Sequence, residues 1–101
     1  MRMMVTATFP LQKFNKAVRN GTAGEKLGRI MDDIKPEAVY FTEQNGKRCC
    51  VFVVEMEDAS RVPSIAEPFF LGFNASVEFR ICMSSEDLQK AGLDELGEKW
   101  G

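Results

Sequence analysis

The chain has 101 residues, 45% of them hydrophobic, and 13 cations against 15 acids give a formal charge of −2. That length supports one domain with an ordinary core, burying about two-thirds of the surface that the unfolded chain exposes. The near-neutral balance supplies no bulk basic field for nucleic acid. The absence of histidine removes the commonest metal ligand and the commonest general base at neutral pH.

Arg2 to Phe9 alternates Met3, Val5, Ala7 and Phe9 with Met4, Thr6 and Thr8. Period two with β-branched and aromatic members predicts a strand, closed by Pro10. From Leu11 to about Asp33 the spacing turns helical, through Leu11, Phe14 and Val18, then Leu27, Ile30, Met31 and Ile34. Gly21, Gly24 and Gly28 interrupt it, each costing about 1 kcal/mol relative to alanine inside a helix. Two readings compete. Asn20-Gly21 ends a first helix and Thr22-x-x-Glu25 caps a second, or one helix continues and presents a glycine stripe for close approach. The break is favoured. The segment from Asn20 to Gly28 matches neither GxGxxG nor GxxxxGK[ST], so it does not read as a phosphate loop.

Glu37 to Thr42, with Ala38, Val39, Tyr40 and Phe41, reads as a short strand. Asn45-Gly46 between apolar runs is a strong hairpin signal, which makes Arg48 to Met56 the antiparallel partner. That second strand is apolar on both faces, as strands buried on both sides are. After Glu57, Asp58 or Ser60 caps a helix with Pro63 in its first turn. Its inward stripe is Val62, Ile65, Ala66 and Phe69 or Phe70, and Gly72 ends it. Ala75 to Met83 alternates again, as Val77, Phe79, Ile81 and Met83 against Glu78, Arg80 and Cys82. Ser84 or Ser85 then caps a short helix, Glu86 to Ala91, stopped by Gly92. Leu93 to Trp100 adds one more helical turn, pinned by Leu96 and Trp100.

The order is βαββαβ plus a C-terminal helix, over residues 1–101 as a single domain. This is the split βαβ of the ferredoxin-like, α+β class: a four-stranded antiparallel sheet with helices on one face. The other face is bare. The strand Arg48 to Met56 offers Cys49, Val51 and Val53 to one side and Cys50, Phe52, Val54 and Met56 to the other. One helical layer covers one set, and a large uncovered apolar face is unusual on a monomer. The expected partner is a second copy, sheet against sheet, through the helix-free face. The competing reading folds Ser84 to Gly101 back over the sheet.

With this order, the hairpin at Asn45-Gly46, the run from Arg48 to Met56 into Glu57-Asp58-Ala59-Ser60, and Val77-Glu78-Phe79-Arg80-Ile81 before Ser84-Ser85-Glu86-Asp87-Leu88, the chain resembles the dimeric α/β-barrel group of ferredoxin-like proteins. It is similar to small uncharacterised bacterial members of that group. The group includes small monooxygenases, haem-degrading enzymes, muconolactone-isomerase-like enzymes and stress-responsive proteins. The resemblance implies a fold and a dimer but no reaction. Haem-handling relatives commonly use an axial histidine, which this chain lacks, so no haem is expected. No catalytic residue transfers.

Glu78 and Arg80 lie two apart and share a strand face. In a cavity between subunits, with Tyr40, Thr6 or Thr8 near, Arg80 suits a carboxylate ligand and Glu78 a base of raised pKa. Mutual pairing at a solvated edge is the stronger expectation. Phe69, Phe70 and Phe73, with Asn74, wall a pocket or, as aromatics at helical spacing more often do, the three rings fill the core, and Asn74 satisfies backbone at the turn into the final strand. Residues 1–20 carry Arg2, Lys13, Lys16 and Arg19 and no acid. Residues 84–101 carry five acids and two lysines, for a charge of −3. Cys49, Cys50 and Cys82 form no plausible disulfide framework and no metal-ligand spacing. They read as free thiols in a reducing compartment, and Cys82, sharing a face with Arg80, is the best candidate for reactivity.

No signal-peptide core is legible in the first twenty residues and no apolar run spans a bilayer, so the expected location is cytoplasmic and away from membranes. No cofactor and no metal are expected. The function expected is that of a homodimeric ligand-binding or interaction module, for a small hydrophobic or carboxylate ligand or a protein. The alternative is a cofactor-independent small enzyme, monooxygenase- or isomerase-like, using Tyr40, Glu78 and Arg80 in a hydrophobic cavity near the subunit interface.

Overall fold

The computed structural model describes residues 1–101. Strand β1 (Arg2–Thr8) leads into helices α1 (Leu11–Arg19) and α2 (Ala23–Ile34). Strands β2 (Ala38–Gln44) and β3 (Lys47–Glu55) form the hairpin. A 3-10 turn (Ala59–Arg61) and helix α3 (Val62–Phe73) precede strand β4 (Ser76–Ile81), and helices α4 (Ser85–Lys90) and α5 (Leu93–Trp100) end the chain. This is an α+β protein with one four-stranded antiparallel sheet, ordered β2-β3-β1-β4, and five helices. It is compatible with a ferredoxin-like arrangement.

The register sorts side chains by face. Val5 lies opposite Phe52 and Phe79, and Ala7 opposite Cys50 and Val77. Because alternate residues share a face, Met3, Val5, Ala7, Cys50, Phe52 and Val54 point together. They form one buried cluster with Phe14 and Ala17 of α1, Ile30 and Ile34 of α2, and Ile65, Phe69 and Phe73 of α3. The helices α1, α2 and α3 therefore cover that face. At its centre Phe9 meets Phe14 at 4.8 Å and Phe73 at 5.1 Å between ring centroids, while Phe52 stacks on Phe69 at 5.7 Å. Arg48 closes one side of the cluster, its guanidinium 4.8 Å from the Phe14 ring centroid and donating to Asn15 Oδ1 at 2.8 Å.

The hairpin turns at Asn45 (φ 52) and Gly46 (φ 76), the left-handed pair that a two-residue turn of matching twist requires. Glu43 accepts from the Gly46 N–H. The first helical region breaks at Asn20-Gly21, with Gly21 at φ 77. Thr22 is not the expected cap. It makes no side-chain cap bond to α2. Instead its own N–H and hydroxyl donate to Asn20 Oδ1 at 3.1 and 2.6 Å, an Asx turn that holds the break. Asp58 caps the 3-10 turn by accepting from Ser60, and Ser60 itself caps nothing. Gly72 lies inside α3. The helix ends one turn-residue later at Asn74, in the left-handed conformation at φ 54, because asparagine tolerates that region. Pro68, also inside α3, does not stop the helix.

The C-terminal segment departs most from expectation. Ser84 caps α4 with a full capping box: its hydroxyl accepts from the Asp87 N–H, and Asp87 accepts from the Ser84 N–H. Gly92 does not merely stop α4. In the left-handed conformation it starts α5, which runs eight residues rather than one turn. Leu96 and Trp100 pin nothing. Neither helix has a buried residue, and Trp100 is 74% exposed. The segment does not fold back over the sheet. The radius of gyration is 17.0 Å and the longest extent 59 Å, where a compact chain of this length has a radius of about 13 Å.

Gly28 tests whether the glycines of α2 serve close approach. A Cβ built there meets nothing within 4 Å. Gly28→Ala is expected to raise stability by about 1 kcal/mol through helix propensity alone, read from urea denaturation. A loss of stability would show that the position is spatially required.

Candidate functional site: the open sheet face

The face of the sheet away from the helices carries the even-numbered residues of β1, the odd-numbered of β3 and the even-numbered of β2 and β4. Its centre is Met4, Thr6, Thr8, Val51 and Val53, all half-buried by their strand neighbours, with Cys49 fully buried between Thr8 and Thr42. Thr8 Oγ1 reaches Cys49 Sγ at 4.0 Å. The centre is thus a low, apolar and threonine-lined surface with no helix above it.

The register places Tyr40, Val51, Thr6 and Glu78 in one row across this face. The row explains which expected groupings form. Thr6 neighbours Glu78, as anticipated. Tyr40 does not join Glu78 and Arg80 within one chain, because β2 and β4 are opposite edges of the sheet with two strands between them. Three strand spacings separate them, about 14 Å. Arg80 Nη2 lies 3.7 Å from Glu78 Oε2, and both side chains are open to water, at 71% and 61% exposed. This is a solvated edge pair, worth little to stability. Tyr40 is equally bare, at 71%.

The end of the face where β1 begins is charged. Arg2 Nε lies 3.1 Å from Glu37 Oε2. That hydrogen bond, then the Glu37 charge, hold the Arg2 guanidinium above its ordinary pKa, with Glu55 and Asp87 adding to the effect. The Cys82 N–H donates to the Arg2 carbonyl at 2.9 Å, so the chain leaves β4 toward α4 at this end of the sheet. Asp87 lies near the start of α4. Its carboxyl is held below the usual range, chiefly by the Ser84 N–H and then by the Ser84 hydroxyl.

The other candidates resolve into structure. Phe69 and Phe73 are core, Phe70 is exposed on the outer side of α3, and Asn74 is the helix terminator. A shallow groove between α2 and α3 is lined by Lys26, Arg29, Asp32 and Asp33 over Phe73, on the helical side. Its two cations and two acids select no charge class of ligand. The three cysteines are free. Cys50 sits within the core cluster, where burial, then the neighbouring Cys49, push its thiol up to about 12. Cys82, half-buried, lies against the Arg80 carbonyl at 3.8 Å. No group of histidine, cysteine and acidic side chains is arranged to hold a metal ion, and no helix is long and apolar enough to cross a membrane.

The whole-face arrangement was hard to read from sequence because it depends on which parity of β1 meets the helices. Phe9, Phe14 and their spacing point to the answer, since both must enter one core. Searched against protein-family models the chain matches none, and no curated protein matches it in sequence.

The thiols give a direct check. Only a thiolate attacks a disulfide reagent, and burial denies the reagent access, while Cys50 is further protected by its raised pKa. Under native conditions at pH 8, one thiol per chain, Cys82, is expected to react, with Cys49 and Cys50 following only on unfolding. Cys50 also links stability to alkaline pH. Its folded pKa is above its unfolded value of 9.0. Its contribution is therefore complete below about pH 9 and is lost as pH rises through about 12.

Proposed function

We propose that the chain is a homodimeric binding module of the dimeric α/β-barrel type, with a ferredoxin-like protomer. The connections support the protomer reading: β1 reaches β2 through α1 and α2, the hairpin follows, and β3 reaches β4 through α3. A split βαβ makes this order. The single observation that carries the dimer is the open sheet face. Met4, Val51 and Val53 form its centre, half-exposed, and no helix lies over them. Burying apolar surface gains about 25 cal/mol per Å² before the cost of association.

A twofold axis parallel to the strands would set β4 of one copy over β2 of the other, at the same end of the sheet. The row that separates Tyr40 from Glu78 within one chain would then bring Tyr40 of the second copy over Glu78 and Arg80. Each end of such an interface would combine a phenol, a guanidinium and a carboxylate around Val51 and Thr6. That set suits a small ligand with an apolar body and a carboxylate, held by Arg80. The reading is of binding rather than catalysis, because Glu78 is paired with Arg80 and solvated in the protomer.

Two substitutions one residue apart test this. Val53 lies on the open face and Phe52 in the core. Val53→Asp is expected to give a folded monomer, with native circular dichroism and half the mass in light scattering. Phe52→Asp is expected to unfold the chain, since an unpaired buried carboxylate costs several kcal/mol. A Val53→Asp protein that keeps the mass and stability of the parent would refute the sheet-to-sheet interface.

A further inference from the structure

The segment after β4 is built as an arm. Ile81 and Met83, where it leaves the sheet, are 67% and 65% exposed. Leu93, Leu96 and Trp100 then recur at helical spacing and form one stripe along α5, with Leu88 on α4 before it. All four are exposed. Such a stripe loses its hydrophobic gain unless something covers it, and the arm's own body does not. The arm that carries it is acidic: residues 84–101 carry −3, which leaves +1 on the rest of the chain.

We propose that this arm is a clasp exchanged between two copies of the chain. The stripe of Leu88, Leu93, Leu96 and Trp100 lies on the β2 edge of the second copy, around Tyr40, and the second copy's arm does the same in return. The proposal rests on the sheet-to-sheet dimer proposed above. Three observations choose this occupant. The first is continuity: the Cys82 N–H donates to the Arg2 carbonyl at 2.9 Å, so the arm leaves the sheet beside the start of β1, at the charged end of the open face. With the twofold axis along the strands, that exit lies beside the start of the second copy's β2, where Tyr40 and Phe41 are both exposed. The second is charge. Lys35, at the entry to β2, is exposed and makes no ion pair, and the acids of the arm would meet it there. The five acids of the arm equally disfavour an anionic lipid surface, the other common partner of an amphipathic helix. The third is area. Four strands spaced about 4.8 Å apart and about seven residues long make a plane on the order of 450 Å². A standard interface buries about 800 Å² on each partner. The sheet alone falls short, and the arm supplies the difference.

Trp100 is the single tryptophan, so its fluorescence reports the arm alone. The experiment records emission and light-scattering mass together over a dilution series of the full chain. It adds the Val53→Asp variant and a Leu93→Ser, Leu96→Ser double variant, whose sites are exposed in the protomer and do not endanger folding. The expected result is a blue-shifted emission in the dimer that moves to the red as mass halves. Val53→Asp should give red emission at every concentration. The double variant should raise the dimer dissociation constant about tenfold or more, the equivalent of about 1.4 kcal/mol. A dimer with water-exposed Trp100 emission overturns the clasp and leaves the sheet interface standing. A chain monomeric at every concentration overturns the sheet interface and the clasp together. Blue emission in monomeric Val53→Asp places the arm on its own chain and overturns the exchange. Blue emission that appears only with phosphatidylglycerol vesicles assigns the arm to lipid and overturns it as well. An unchanged dissociation constant in the double variant also contradicts the clasp.

Discussion

Strands β1 and β3 sit at the centre of the sheet, and β3 is apolar on both of its faces, yet chain connectivity delivers helices to only one of them. Phe52 and Val54 turn toward α3 and the phenylalanine cluster, while Val51 and Val53 turn the other way and meet no helix. The open face follows from that mismatch. The helical layer is complete: no buried side-chain polar atom lacks a partner, and the aromatic rings around Phe9 fill the centre. The sheet's second face has only strand neighbours to shelter it. A tail that folded across it would have resolved the mismatch within one chain, but α4 and α5 extend away.

Local chemistry made much of this legible. Asn45-Gly46 marked the hairpin because its two left-handed residues match the twist of paired strands. Period two found β1 and β4, the apolar runs around Asn45-Gly46 found β2 and β3, and Asn20-Gly21 marked the helix break. What failed did so where two local rules competed. Gly72 looked like a terminator because glycine favours the left-handed region, but Asn74 two residues later fills that role and lets α3 add Phe73 to the core. Thr22 looked like a cap because of Glu25, but the side-chain Oδ1 of Asn20 took both its N–H and its hydroxyl. Leu96 and Trp100 looked like anchors because large apolar residues are usually covered. Covering requires a surface within reach, and pattern alone cannot supply one.

The site was legible in part for the same reason. Sharing a face is a property of parity, so Glu78 with Arg80 was within reach of sequence. The placing of Tyr40 on the far edge is a property of strand order, which parity does not encode. The proposed dimer turns that separation into a juxtaposition, since one copy's β2 would lie over the other's β4. Charge follows the same logic. The chain's −2 is divided between a basic start and an acidic arm, a division suited to contacts between copies rather than to a polyanionic ligand.

The central claim is that a second copy covers the open face of the sheet. Sedimentation equilibrium of the unmodified chain at micromolar concentration measures this most directly. A covered face requires a species of twice the 11.4 kDa chain mass, dissociating to one chain on dilution. A single species of 11.4 kDa across the whole range would contradict it.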